Sequence, residues 1–255
     1  DCSQSRGLGD VYKRQLVLKA GNIRGQDSNG MLCSEREMMI SDEHDGIIDL
    51  DQDAPVGESF AAWAGLDDPV IEIAITPNRA DCLGVRGVAR DLAAAGYGTL
   101  KPLDTSAHEG SFDSPVTWRL DLDGAEHLAP LITGIAFRGV TNGPSPDWMA
   151  RRLNAIGQRP ISALVDITNY VMFDLGRPLH AYDIDKIHGS ELIVRQADGG
   201  EPFAALNEKT YEMEAGMITI GDAEGVDDLA GVMGGERTGV SDGTTGMFLE
   251  IAVFD

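Results

Sequence analysis

Glu250 sits in the run 248–254, where strand alternation puts it on one face with Phe248, Ala252 and Phe254 and leaves Leu249, Ile251 and Val253 on the other. Both faces read as buried. A lone ionised carboxylate there is costly unless hydrogen-bonded or neutralised, so Glu250 is either paired structurally or held for a ligand. Beside aromatic walls, the ligand role would be to read a polar group on an otherwise apolar molecule. His180 follows a helix end in a Gly-Pro loop, where an imidazole is solvated, satisfied by backbone, or available for proton transfer. Thr168 and Asn169 fall inside an expected helix although both are mediocre helix formers. A polar face, or a side chain bonding back to a carbonyl one turn earlier, accounts for them as well as a functional role does. The run Gly231-Val232-Met233-Gly234-Gly235 is either a tight turn or a place where backbone approaches a ligand closely. Gly-x-x-x-x-Gly-Lys, Gly-x-Gly-x-x-Gly and His-Glu-x-x-His are all absent, so nothing local speaks for nucleotide or zinc chemistry.

These residues depend on the elements around them. Residues 16–66 read as short strands and turns punctuated by Gly21, Gly25 and Gly30, with a strand at 46–50, which fits part of a small β-barrel. A strand at 70–75 precedes a helix at 81–95, with Leu83, Val88 and Leu92 as its apolar stripe, Asn78 or Asp81 as its cap and Gly96 as its stop. A polar connector at 101–115 marks the main boundary. Strands are expected at 116–122 and 131–140. Ser145-Pro146-Asp147 then supplies an N-cap, a first-turn proline and an acid for a helix at 147–156, closed by Gly157. A second helix at 161–175 is stopped by Gly176 and Pro178, a loop ends in Leu179-His180-Ala181, and strand and turn dominate from Glu191 onward.

The 255 residues fit one large or two small domains. With 42% apolar and 24% charged residues, and no apolar run near the roughly 18 needed to cross a bilayer, a transmembrane protein and a wholly disordered chain are both excluded. The net charge of −22 argues against a general nucleic-acid or membrane-surface binder. The acid is uneven, however: residues 136–195 hold seven bases and six acids, which makes them the least repulsive place for an anion. Cys2, Cys33 and Cys82 are too few and scattered for a disulfide framework or a zinc set, which points to a reducing, cytoplasmic setting. Residues 1–15 have no periodicity and read as a non-native leader, without a secretory signal or an initiator Met. The apolar run ending at Asp255 reads as cut inside a domain.

Several ordered blocks resemble the bacterial phenylalanyl-tRNA synthetase beta-subunit family. Ile23-Arg24-Gly25 and Ser28-Asn29-Gly30-Met31-Leu32-Cys33-Ser34 are similar to the end of its tRNA-binding domain, and Thr76-Pro77-Asn78-Arg79-Ala80-Asp81-Cys82-Leu83 to the segment after it. Arg159-Pro160-Ile161, Val165-Asp166-Ile167-Thr168-Asn169-Tyr170-Val171 and Gly176-Arg177-Pro178-Leu179-His180-Ala181-Tyr182-Asp183 resemble its editing domain, and Ala230 to Glu236 and Leu249-Glu250 extend the match. The chain has Leu206-Asn207-Glu208 where the family commonly has Leu-Asp-Gly, so that turn is expected to differ.

The resemblance implies an α+β multidomain fold: an OB-like tRNA-binding piece at 16–66, a small α+β linking region at 67–112 and a C-terminally truncated editing domain at 113–255. It implies hydrolysis of tyrosine wrongly attached to phenylalanine tRNA, with Glu250 on the tyrosine phenol, Gly231 lining the amino-acid pocket, and His180, Thr168 and Asn169 around the ester and terminal ribose. An apolar synthetic pocket rejects an added hydroxyl by only about a hundredfold, which is why a second sieve is needed. Partners implied are an alpha subunit carrying the ATP, Mg²⁺ and phenylalanine chemistry, tRNA(Phe), and an alpha2-beta2 heterotetramer; no cofactor and no membrane are expected for this segment. Two competitors remain: a non-catalytic tRNA-positioning scaffold, and an unrelated small-ligand binder in which Glu250 and His180 lie far apart.

Overall fold

The computed structural model describes residues 18–255 apart from Met39 and Asp42. The leader expected at 1–15, with Cys2, and the strand-like Leu16 and Val17 lie outside the described residues. The chain divides into two compact units between Ile71 and Glu72.

In the first unit, β1 (Gly21–Ile23) and β2 (Gln26–Ser28) form an antiparallel hairpin closed by Arg24 and Gly25 at φ 54° and 81°. Positive φ at both central residues matches the twist of the flanking strands. Helix α1 (Phe60–Trp63) is capped by Ser59, whose Oγ accepts from the Ala62 amide. Of the partial barrel expected over 16–66, this hairpin is what the described residues show. The expected strand at 46–50 is not formed: the Ile48 amide donates to the Cys33 carbonyl at 2.8 Å without a ladder around it. The apolar run at 70–75 likewise joins no sheet, and Val70, Ile71 and Ile73 are exposed. Apolar, β-branched composition makes a strand only where another backbone offers the ladder.

In the second unit, a 3-10 turn at Pro77–Cys82 precedes α2 (Val85–Ala94). The helix therefore starts four residues later than expected. Asp81 does not cap it, being held by Arg79 and Arg90, and the N-cap is Gly84 in an extended conformation. Downstream come β3 (Thr117–Asp121), β4 (Leu131–Arg138), α3 (Asp147–Ala155), α4 (Ala163–Leu175) and β5 (His180–Asp183). The chain ends in strands β6 (Glu191–Gln196), β7 (Glu201–Ala204), β8 (Thr210–Met213), β9 (Ile218–Gly221), β10 (Val226–Leu229), β11 (Met233–Gly234) and β12 (Gly246–Val253). Two expectations are corrected here. Ser145 is not the side-chain cap of α3, because its hydroxyl is taken by the buried Asp166 carboxylate, which also accepts the Ile161 amide. His180 is not in a loop but opens β5, since β12 supplies a partner strand.

One sheet has the order β11-β10-β9-β6-β3, with only the β3–β6 pair parallel; the other is antiparallel in the order β4-β12-β5. β7 and β8 pair in a separate hairpin, whose Phe203 and Met213 pack with Val226 of β10. Leu192, Val194 and Ile220 of the first sheet pack against Tyr182 and Phe248 of the second, with Trp118 and Ile132 at the margin. On the other face of the three-stranded sheet, Ala181 and Met247 pack with Leu164 of α4. The layers are therefore sheet, sheet, helix, and β12 is central and covered on both sides. No helix among the described residues is long and apolar enough to cross a membrane.

Candidate functional site

The inner face of the three-stranded sheet carries the chemistry. In register, Gly134 of β4 faces Glu250 of β12, which faces His180 of β5. Directly opposed side chains on one face of antiparallel strands stand about 5 Å apart at Cβ, so Glu250 and His180 are immediate neighbours. On the remaining side, a Cβ at Gly134 would overlap the Phe248 ring, so that ring folds over the glycine and walls the carboxyl with an aromatic surface. Glu250 is 7% exposed. Burial, and next the Asp228 carboxylate, push its carboxyl up to about 7, against the opposing charge of Arg177. Arg177 donates to the Ala252 carbonyl at 3.1 Å, which anchors it beside β12.

Asp228 enters from the other sheet. Register passes from Val226–Gly221 to Asp228–Ile220, so Asp227 is the extra residue of a β-bulge. A bulge re-aims the side chains beside it. Asp228 shares the inward face with its register partner Ile220 and is 4% exposed. Its carboxylate accepts the Tyr182 hydroxyl and, at 3.1 Å, the Gly235 amide. Its Oδ1 lies 3.3 Å from His180 Nε2, off the line of a hydrogen bond, and that buried nitrogen has no hydrogen-bond partner among the described residues. Burial raises the Asp228 carboxyl despite the offsetting charge of His180, and burial with Asp228 holds the Tyr182 phenol protonated. The rings of His180 and Tyr182 meet edge-on, 4.5 Å between centroids. Gly234 makes room for this arrangement, because a Cβ there would overlap His180 Cε1 and lie 2.8 Å from Nδ1.

Asp227 turns to a second cluster, where Arg237 pairs with it at 2.7 Å and with Asp222, and Thr238 donates to it at 3.0 Å. Burial lifts Asp227 to about 7; at Asp222 burial is outweighed by Arg237 and two backbone amides, so its carboxyl is lowered.

The other residues singled out in the sequence do not converge as closely. Gly231 occupies a left-handed turn at φ 70°, and a Cβ there would lie 2.9 Å from the Phe254 ring, which packs in the same core as Phe248. Thr168 donates back to the Val165 carbonyl at 2.7 Å, and Asn169 is half-buried; neither hydrogen-bonds to His180 or Glu250. Helix α4 meets the sheet through Leu164, on the face opposite to Glu250. Asp228 was not anticipated from the sequence, although two successive acids within Val226-Asp227-Asp228-Leu229 break the alternation of a strand and signal a bulge. A groove of about 410 Å³ lies elsewhere, between α2, residues 97–103 and the end of α4, and includes none of these side chains. Asp81, Cys82 and Asp91 gather as metal ligands could, but Arg79 donates to all three and supplies the positive charge itself.

A two-sheet α/β layer with buried acids facing a histidine is the architecture of the half of the chain that matches a family model: residues 128–255 match the B3/4 domain, and the chain belongs to that family. Over 94% of its length the chain is 55% identical to the phenylalanine–tRNA ligase beta subunit of Brucella abortus, and it is 54% identical, over the same share, to that of Gluconobacter oxydans. It spans about 30% of the length of these relatives. A looser likeness, TM-score 0.42 at 17% identity over 78% of this chain and 64% of the other, is to an N-terminal fragment of the phenylalanyl-tRNA synthetase beta subunit from Pyrococcus horikoshii.

Proposed function

We propose that this chain is the tRNA-editing segment of a phenylalanine–tRNA ligase beta subunit, and that it hydrolyses tyrosine wrongly esterified to tRNA(Phe). The observation that carries this reading is the Glu250–His180 register pair, a buried carboxyl beside an imidazole within aromatic walls. Tyrosine differs from phenylalanine by one hydroxyl, and a buried carboxyl built to bond that hydroxyl is left unpaired when phenylalanine enters. The adjacency of Glu250 and His180 also speaks against a small-ligand binder with the two far apart. In the reaction, the oxygen of water bonds to the ester carbonyl carbon, the bond to the terminal ribose oxygen breaks, and that oxygen takes up the proton.

Gly231 is assigned to the pocket wall, supported by its approach to Phe254. For Thr168 and Asn169 at the ester and ribose, the support is the family resemblance, since α4 meets the sheet on its other face. An alpha subunit as partner is supported by the names of the relatives, which are ligase beta subunits; its ATP- and Mg²⁺-dependent chemistry, an alpha2-beta2 assembly and a cytoplasmic location rest on the family resemblance.

The test is deacylation of Tyr-tRNA(Phe) by the ligase complex containing the full-length subunit, with Phe-tRNA(Phe) as control. Wild type is expected to cleave the tyrosyl ester and spare the phenylalanyl one. Glu250→Ala should lose at least about tenfold of that preference, the worth of one hydrogen bond to a buried charged or polar partner. A folded wild-type complex with no tyrosyl-selective hydrolysis would leave the non-catalytic scaffold in its place.

A further inference from the structure

We propose that Asp228 is the positioning residue of this site: from the opposite sheet it fixes the His180 ring with Nε2–H toward its own carboxylate, leaving Nδ1 as the free acceptor. The proposal rests on the reading above for the reaction, but not for the geometry.

Three observations lead to it. First, Asp228 is itself held rigidly. It is buried, its strand is set by the bulge at Asp227, and it accepts the Tyr182 hydroxyl and the Gly235 amide. Secondly, His180 Nε2 is buried without a hydrogen-bond partner, and Asp228 Oδ1 at 3.3 Å is the carboxylate oxygen beside it. A buried donor without an acceptor is costly, and long, poorly aligned contacts of this kind commonly tighten once substrate is bound. Thirdly, the opposite edge of the ring packs over Gly234, whose missing Cβ admits the imidazole, and the His180 side chain keeps 21% of its surface accessible. A side chain there would push the ring away from its place beside Asp228.

The chemistry follows from the tautomer. A carboxylate on one imidazole nitrogen selects the neutral form protonated there and offsets positive charge arising on the ring when the other nitrogen takes a proton. Asp228 would therefore act through His180 without touching substrate. Glu250, on the other side of His180, remains the group that reads the amino-acid side chain.

Two measurements test this independently of each other. In the ¹⁵N-histidine-labelled chain, two-bond ¹⁵N–¹H correlations, assigned with a His180→Ala control, should show His180 as the Nε2–H tautomer. In Asp228→Asn, whose amide retains an acceptor for Tyr182 or Gly235, that preference should be lost. In the ligase complex, Asp228→Asn should lower kcat for Tyr-tRNA(Phe) hydrolysis at least about tenfold, a fraction of the roughly 100- to 10,000-fold that a well-placed proton acceptor contributes, with KM unchanged. An Nδ1–H tautomer in the wild type overturns the proposal whether or not any variant folds. So does an unchanged kcat in Asp228→Asn, or a KM change alone. A wild type with the Nε2–H tautomer but no tyrosyl hydrolysis supports the positioning role and removes the editing reading instead.

Discussion

Glu250 combines two properties that its residue type alone does not predict: it is buried, and its carboxyl is raised to about 7 by burial and by Asp228. The unfolded chain releases that proton near the ordinary value of 4.5, so between these limits the folded state binds more protons than the unfolded one. Its contribution to stability is thus complete below about 4.5 and is lost as pH rises through about 7. Glu250→Gln removes this titration. Urea unfolding at pH 5 and pH 8 should show a smaller loss of stability in Glu250→Gln than in wild type, by up to ~3 kcal/mol. Asp227, raised like Glu250, titrates in both proteins and cancels in the comparison, while Asp222, lowered by Arg237, stays ionised at both pH values. An equal loss in the two proteins would show that Glu250 is not held protonated.

At the scale of elements, the contact between α2 and α4 depends on two glycines. Helix α4 ends at Gly176, left-handed at φ 71°, and Gly84 at the start of α2 comes so close that a Cβ there would overlap the Gly176 amide nitrogen and lie 3.0 Å from its Cα. Both partners are backbone, so neither can swing aside. Gly84→Ala is expected to cost ~1–3 kcal/mol in urea unfolding, as overpacking does. Gly143→Ala, which meets nothing within 4 Å and has no positive φ, should stay within about 0.5 kcal/mol. Equal effects would mean that the helices separate freely. Helices α3 and α4 and strands β3, β4 and β12 were legible from periodicity and stop signals. The strand expectations at 46–50 and 70–75 failed because a strand is completed by a partner backbone, which a local pattern does not contain.

At the scale of the whole molecule, a net charge of −22 makes the compact state repel itself. Raising NaCl from ~0.05 to ~0.5 M shortens the screening length to a few ångströms, so the thermal midpoint should rise. A falling midpoint would mean that the ion pairs of Arg79, Arg119, Arg195 and Arg237 outweigh the repulsion.

The sequence by itself determined the alternation that buries Glu250, the helix stops at Gly157 and Gly176, the uneven distribution of charge, and the ordered motifs that carry the family resemblance. These are local or cumulative properties, readable along one chain. Only the tertiary structure decided that His180 is a strand residue opposite Glu250, that a bulge at Asp227 sends Asp228 across from the other sheet, and that α4 lies behind the sheet. Asp228 and His180 are 48 positions apart, and Glu250 and His180 are 70 apart. Their meeting is fixed by strand register and sheet packing, which arise when separate segments share one core.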